Sequence, residues 1–327
     1  MSPTTDILPI TIDVLLGPDE WNAGLRSDAL AGLTATPKSL TPTWLYDDAG
    51  SALYDAITRL PEYYPARTEQ SILDRWARSM VAITVPDTLV ELGSGTSDKT
   101  RALLDAMEAA GTLRRYVPFD VAEATLRDAS ARIASEYGIA VHGVVGDFRR
   151  HLFAVPNDGV RLFAFLGGTV GNFEPAERAP LLCQIAAAMV PGDALLLGTD
   201  LVKDHDRLVR AYDDSAGVTA EFNKNVLNVL NHELGAEFDL DDFVHVALYD
   251  SRNEWIEMRL RSRRRHSVRV PGLGLTLQFE AGEELRTEVS SKFRVERVGD
   301  ELGTAGLRVA DTWLDPAGDF ALTLAVL

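Results

Sequence analysis

A single cysteine, Cys183, stands among 327 residues, so no disulfide can close within the chain and a reducing compartment is expected. Its neighbours Leu181, Leu182, Ile185 and Met189 recur at helical spacing, which predicts that the thiol packs on an apolar face. Positive charge is also short. Lys and Arg number 32 against 49 Asp and Glu, a formal net charge of -17, which excludes an extended phosphate-binding surface for nucleic acid or an anionic membrane. No apolar run approaches bilayer-spanning length. The stretch Ile7 to Leu16 is broken by Pro9 and Asp13 and follows no basic segment, so the protein is expected in the cytoplasm, with no membrane partner. No two of the six histidines stand at the short spacing that metal ligands on one helix or hairpin use, and no metal is expected. The one dense basic run, Arg261 to His266, follows an alternating strand pattern and reads as a solvated edge.

What the chain does have is an apolar strand running into a Gly-x-Gly turn, DTLVELGSGTSDKT from Asp87 to Thr100. Gly93 and Gly95 suit a tight bend where backbone approaches a ligand closely, with a helix expected from about Ser97. A dinucleotide site wants a third glycine three residues after the second. Asp98 is there instead, and a carboxylate beside two phosphates is repelled. Glu91, at the end of the strand, adds a second acid. Acids beside the crevice suit a ligand carrying positive charge, and S-adenosylmethionine, with its sulfonium and ammonium groups, is such a ligand. A turn of this kind can also merely connect strand to helix.

Short apolar runs alternate with amphipathic stretches from about Ile72 to Leu201: DTLVEL, RRYVPFD, AVHGVVGDF, RLFAFLGG and ALLLGTD read as strands without polar alternation. Such strands belong to a sheet covered on both faces, so the fold class is α/β, a doubly wound and mostly parallel sheet. LRVADTWL and FALTLAVL, joined by Asp315-Pro316-Ala317-Gly318, predict a final hairpin whose last strand runs antiparallel. After Lys203 helical patterns give way to alternating strands, which predicts a second α+β unit. The expected division is a sheet domain over 68–202 and 293–327 and a second domain over 18–67 and 203–292. The first 67 residues show no clear strand pattern. They carry Trp44, Tyr46, Tyr54, Tyr63 and Tyr64, which predict either a substrate wall or ordinary core.

Asp120 ends the second predicted strand 25 residues after Gly95, near the distance at which such folds place an acid on ribose hydroxyls. Asp147 and Phe148 end the third, where a carboxylate can accept from the adenine amine and an aromatic can cover the ring. Each acid alone could cap a helix. Glu91, Asp120 and Asp147 at successive strand ends are harder to read as three caps, and together they point to an S-adenosylmethionine-dependent methyltransferase.

Longer motifs stand in fixed order as well: TPKSL from Thr36, WLYDDAGSALYDAITRLPEYYPARTE, TLVELGSGTSDKT, GTVGN, LLLGTDLVKD, LVRAYDD, GVTAEFNKNVL, TEVSSKF and DPAGDFALTLAV. This set resembles the histidine-specific methyltransferases, above all their actinobacterial branch in ergothioneine biosynthesis. The resemblance implies a class I methyltransferase sheet with a second, substrate-binding domain. The implied reaction is transfer of three methyl groups in turn from S-adenosylmethionine to the α-amino nitrogen of L-histidine, giving hercynine and S-adenosylhomocysteine. It also implies cofactor contacts at Gly93, Lys99, Asp120, Asp147 and Phe148, beside Glu91 and Gly95 from the turn. Substrate contacts would be Tyr63, Asn172, Tyr212, Glu288 and Ser290, with Tyr54 and Met258 lining the pocket and Tyr46 and Asn172 nearest the chemistry. A monomer is expected. The chain departs from the family pattern at Gly168, where serine is usual, and at Tyr54, where phenylalanine is common; Gly168 is expected to loosen the loop that carries Asn172.

The amine must be neutral to attack, and Tyr46, Tyr63 or water could take its proton, although a tyrosine near pKa 10 is a poor base at neutral pH. Asn172 and Tyr212 offer the substrate carboxylate donors without a strong cation beside the developing ammonium. Glu288 and Ser290 are two apart, so on an extended segment they share a face and can grip both imidazole nitrogens. Two other readings stand beside this one. An N-methyltransferase for another aromatic amino acid such as tryptophan would leave the Glu288 and Ser290 pair unmatched, and a non-catalytic S-adenosylmethionine-binding module would have no use for Asn172, Tyr212 and Glu288.

Overall fold

A computed structural model describes residues 9–327, so Ile7 and Leu8 of the N-terminal apolar stretch lie outside the described residues. In chain order the strands are β1 (Ile10–Val14), β2 (Thr88–Leu92), β3 (Arg115–Asp120), β4 (Ala140–Val145), β5 (Arg161–Phe165), β6 (Ala194–Asp200), β7 (Phe243–Asp250), β8 (Trp255–Ser262), β9 (His266–Val270), β10 (Leu275–Phe279), β11 (Glu284–Ser291), β12 (Arg308–Leu314) and β13 (Phe320–Val326). Eight of them make one sheet in the order β1-β4-β3-β2-β5-β6-β13-β12. Pairing is parallel from β1 across to β6, and β13 lies antiparallel between β6 and β12. The strand order reverses between β2 and β5, and there a doubly wound sheet opens a crevice at its carboxyl edge.

β2 shows why the sheet reads as unbroken apolar sequence. All five residues of TLVEL are buried. Val90 and Leu92 enter a core under the helices Pro175–Ala188 and Val295–Thr304, and Leu89 enters the opposite core under the helices Tyr64–Thr84 and Arg101–Ala109. Successive side chains leave a strand on opposite faces, so a strand covered on both sides has no place for solvated residues. The helix Tyr64–Thr84 begins with Pro65 in its first turn, buries Ile72, Leu73, Ala77, Met80 and Val81 along one face, and stops where Val85 turns left-handed at φ 47° before Pro86.

The second unit is an antiparallel sheet, β11-β8-β7, with the β9-β10 hairpin beside it. The helices Pro18–Thr34, Asp48–Thr58 and Val218–Leu234 close over it around a third core that includes Leu25, Leu45, Phe222, Leu230, Leu260 and Leu285. Among the described residues no helix is long and apolar enough to cross a membrane.

Four expectations need correction. β1 is a strand within the first 67 residues; ITIDV is short and part-exposed, and only its parallel pairing to β4, with Ile10 opposite Val141, makes it one. The helix expected from Ser97 starts at Arg101, because Ser97 takes a left-handed φ of 58° and its Oγ is held 2.7 Å from the Tyr116 hydroxyl. Cys183 is exposed, since Leu181, Leu182 and Ile185 occupy the buried face of its helix. Gly168, expected only to loosen its loop, stands where the backbone calls for glycine. Gly167 and Gly168 take φ values of 75° and 68°, where a side chain is strained; Gly167 N donates to Glu69 at 2.9 Å and Gly171 N to Gly168 O at 2.8 Å. Gly168→Ser is therefore expected to lower stability by about 1 kcal/mol in urea unfolding.

Candidate active site

A cavity of about 760 Å³ opens at the carboxyl ends of β2 to β5. The glycine turn forms one wall, with Gly93 at φ 73° and Gly95 at φ 48°, conformations that favour glycine. No heavy atom lies within 4 Å of where either Cβ would stand, so the turn presents bare backbone to the cavity. Asp120 pins that turn: Oδ2 accepts from Gly95 N at 2.8 Å and Oδ1 from Ala122 N at 3.0 Å. Burial pushes the Asp120 carboxyl above the usual range, against the pull of those N–H donors. Asp147 caps the short helix after β4, accepting from Arg149 N at 2.9 Å and from the Arg149 guanidinium at 2.7 Å. Phe148 stands edge-on to Phe165, ring centres 5.3 Å apart.

Glu91 lies beneath the turn and serves it. The Thr100 and Tyr116 hydroxyls both donate to its carboxylate, and burial pushes its pKa up to about 7. Lys99 Nζ donates to Glu69 at 2.6 Å, and the same fully buried Glu69 accepts from Gly167 N. One acid thus ties the helix Tyr64–Thr84 to both loops at the crevice. Gly198 on β6 makes room for it, since a Cβ there would stand 2.3 Å from Glu69 Oε1.

A smaller hollow of about 40 Å³ continues inward, and Tyr46, Tyr54, Asn172 and Glu288 line both spaces. Its wall is aromatic: Tyr46 stands edge-on to Tyr54 at 5.6 Å and to Phe222 at 5.4 Å, and Tyr63 to Tyr212 at 6.1 Å. Tyr54 rides on a helix whose N-cap, Asp47, accepts from Gly50 N at 2.7 Å and Asn225 Nδ2 at 2.6 Å. Tyr63 precedes the helix Tyr64–Thr84, and Asn172 ends the short turn after Gly168. Met258 on β8 pairs with Glu288 on β11. The register shifts between Arg286 and Glu288, so Thr287 is the extra residue of a bulge, its hydroxyl donating to Met258 O at 3.0 Å. Beyond the bulge Glu288 and Ser290 both face the hollow.

Glu288 is the odd group here. It is buried, and its Oε2 has no hydrogen-bond partner among the described residues. Burial pushes its pKa from 4.5 up to about 8, with the Lys292 ammonium pulling it back. The native state thus favours the protonated carboxyl. That contribution to stability is fully present below about pH 4.5 and is lost as pH rises through about 8. Glu288→Gln is expected to flatten the decline by a few kcal/mol, at about 1.4 kcal/mol per unit, in urea unfolding of the ligand-free protein at about pH 5 and about pH 8.5.

A cation that the sequence reading left out stands behind one of the two expected carboxylate donors, Tyr212. Lys292, with a fully buried side chain, donates to Tyr212 Oη, Ser290 Oγ and Asp200 Oδ2 at 2.9 Å each. Tyr212 Oη and Ser290 Oγ are themselves 2.8 Å apart. Burial disfavours the ammonium, but Asp200 and Tyr212 outweigh it and hold Lys292 above the usual lysine range. A signal for Lys292 was present in TEVSSKF: Glu288, Ser290 and Lys292 alternate along one face, so the same period of two extends one step further. Phe222 and Glu69 were also missed, and nothing in their local patterns separates them from core and helix-face residues. Among the described residues no group of three or more His, Cys, Asp or Glu could hold a metal.

The family described as histidine-specific, SAM-dependent methyltransferases matches residues 25–327. The chain belongs to this family. A histidine N-alpha-methyltransferase of Mycolicibacterium smegmatis is 59% identical over 312 residues, covering 95% of this chain and 97% of its own length. One of Mycobacterium tuberculosis is 56% identical over 311 residues, again 95% and 97%. An L-tryptophan methyltransferase of Psilocybe serbica is 26% identical over 332 residues, 91% of each chain. Membership makes the chain an S-adenosylmethionine-dependent enzyme, and the cavity of this methyltransferase suits that molecule, with bare backbone at the turn, acceptors at Asp120 and Asp147 and a cation at Lys99.

Proposed function

We propose that this methyltransferase moves three methyl groups in turn from S-adenosylmethionine to the α-amino nitrogen of L-histidine, giving hercynine for ergothioneine biosynthesis. The observation that carries the choice of substrate is Glu288, a buried acid with an unpartnered oxygen, two residues from Ser290 in the aromatic hollow. An imidazole offers two nitrogens to that pair. An indole offers one N–H and a larger ring, which would leave a buried polar group unmatched.

In this reading the sheet unit, 68–202 with 293–327, carries the cofactor, and 18–67 with 203–292 carries the amino acid. Gly93 and Gly95 lay backbone along the cofactor, Asp120 takes the ribose hydroxyls, Asp147 the adenine amine, Phe148 the ring face and Lys99 the carboxylate, while Glu91 holds the turn in shape. S-adenosylmethionine, when bound, supplies a methyl already activated on a sulfonium. The chain's task is then positioning, because displacement needs the amine in line with the methyl. Asn172 and Tyr212 donate to the substrate carboxylate, Glu288 accepts from the ring, and Tyr46, Tyr54, Tyr63 and Met258 wall the hollow around it. An α-amino group has a pKa of about 8, so a modest shift yields the neutral amine. Burial, and then Glu288, raise Tyr46 well above the tyrosine range. Its hydroxyl keeps its proton at neutral pH, so Tyr46 orients the amine and water carries the proton away. The protein would work as a cytoplasmic monomer.

Mass spectrometry of purified protein incubated with S-adenosylmethionine and, separately, L-histidine, L-tryptophan and L-tyrosine tests the reading. Trimethylated histidine alone is the expected product. Methylated tryptophan would overturn the choice of substrate, and no product from any amino acid would favour a binding module.

A further inference from the structure

Lys292 has three N–H groups and three partners, and it is spent on all of them: Asp200 Oδ2, Tyr212 Oη and Ser290 Oγ at 2.9 Å each. A hydroxyl has one proton to give and lone pairs to receive with. When an ammonium occupies lone pairs on both oxygens, it directs their protons away from itself and makes each hydroxyl a stronger donor. In the ligand-free protein one of the two gives its proton to the other across 2.8 Å. A ligand with acceptors at both positions frees both protons to point at it.

Glu288 sits on the same strand face with its acceptor oxygen unpartnered. The hollow therefore offers a donor at Ser290 and an acceptor at Glu288. A ring that fits both ends must accept at one nitrogen and carry hydrogen on the other. That is a neutral imidazole in a single tautomer, whereas an imidazolium would turn an N–H against the Ser290 proton and a positive charge toward Lys292.

We propose that Lys292 is a positioning residue which, through Ser290 and Tyr212, makes the pocket select the neutral, single-tautomer imidazole of its substrate, with a Glu288 oxygen accepting from the other ring nitrogen. This rests on the histidine reading above. The charged and titratable groups around the triangle come from every side: Asp200 from β6, Tyr64 donating to Asp200 at 2.8 Å from the helix Tyr64–Thr84, Lys203 beside both, Tyr212 from the helix His205–Tyr212, and Glu288 with Tyr46 across the hollow. Asp200 is shared between two ammonium groups, Lys292 and Lys203, so one carboxylate faces two positive charges. Lys292 also draws Glu288 toward ionisation, against the larger effect of burial.

The test uses histidine with nitrogen-15 in its ring, bound to the full chain together with S-adenosylhomocysteine so that no methyl can move. Nitrogen chemical shifts report the protonation of each ring atom across pH. In the parent protein one protonated and one unprotonated nitrogen are expected down to about pH 5.5, at least about tenfold in proton affinity below an ordinary imidazole near pKa 6.5. In Lys292→Met the midpoint is expected to rise by at least about one unit, and in Ser290→Ala it should rise as well, with S-adenosylhomocysteine affinity unchanged in both. A doubly protonated ring in the parent at pH 7 would overturn the inference alone. So would a Lys292→Met protein that binds histidine more weakly at every pH with no change of midpoint, because that is what a purely structural lysine does. A parent protein that binds no histidine would overturn the substrate reading and this inference with it.

Discussion

Glu288→Ala is expected to bind L-histidine about thirtyfold more weakly than the parent protein, with affinity for S-adenosylhomocysteine unchanged to within about twofold. Thirtyfold corresponds to about 2 kcal/mol, the worth of a buried hydrogen bond to a charged group. The asymmetry between the ligands is the informative part. Glu288 lies on β11 beside Met258, where the hollow meets the cavity, whereas the groups proposed to hold the cofactor stand on the turn after β2 and at the ends of β3 and β4. Calorimetric titration of each ligand alone reads both numbers. Equal losses would move Glu288 from ring recognition to holding the cleft in shape.

Asp200→Asn is expected to lower the stability of the folded chain by about 3–5 kcal/mol, the cost of leaving buried charges without their counter-ion. Asp200 accepts from Tyr64 at 2.8 and 2.9 Å and from Lys292 at 2.9 Å, and it also pairs with Lys203. Burial pushes its carboxyl up, but Lys292 and Lys203 together overcome that and hold it below the usual carboxylate range. The stabilisation is therefore present above the ordinary aspartate pKa of 3.8 and is lost as pH falls through the depressed value. Urea unfolding of parent and variant at pH 7 measures it. Tyr64→Phe, which removes one hydrogen bond and no charge, should cost only about 1 kcal/mol. A similar small loss from Asp200→Asn would show that the two ammonium groups find other partners.

Residues whose placement follows from near neighbours were legible from the chain alone. The strand-turn at Gly93 and Gly95, the acids at the ends of β3 and β4, and the shared face of Glu288 and Ser290 all depend on periods of a few residues. The unread parts depend on partners far away in sequence. Nothing near Lys292 announces that Asp200 will meet it, and a lysine at the end of a strand reads as solvated until that partner is known. β1 is the same case in backbone form: ITIDV becomes a strand because β4 lies beside it. Ser97 hid its left-handed turn because serine rarely takes that conformation, and the Tyr116 hydroxyl that meets its Oγ lies on another strand. Cys183 misled because a helical repeat tells which residues alternate in and out, while one position of error moves a side chain across the boundary.

The sharing of Asp200 between Lys292 and Lys203 also bears on how this pocket could diverge. A descendant that gave up Lys292 to admit a different ring would leave Asp200 with half its compensation, and one that lost Asp200 first would strand two cations. Either order passes through a less stable intermediate, so new substrate preferences in this lineage should arise first at Glu288, Ser290 or Met258, and changes at positions 200, 203 and 292 should arrive together.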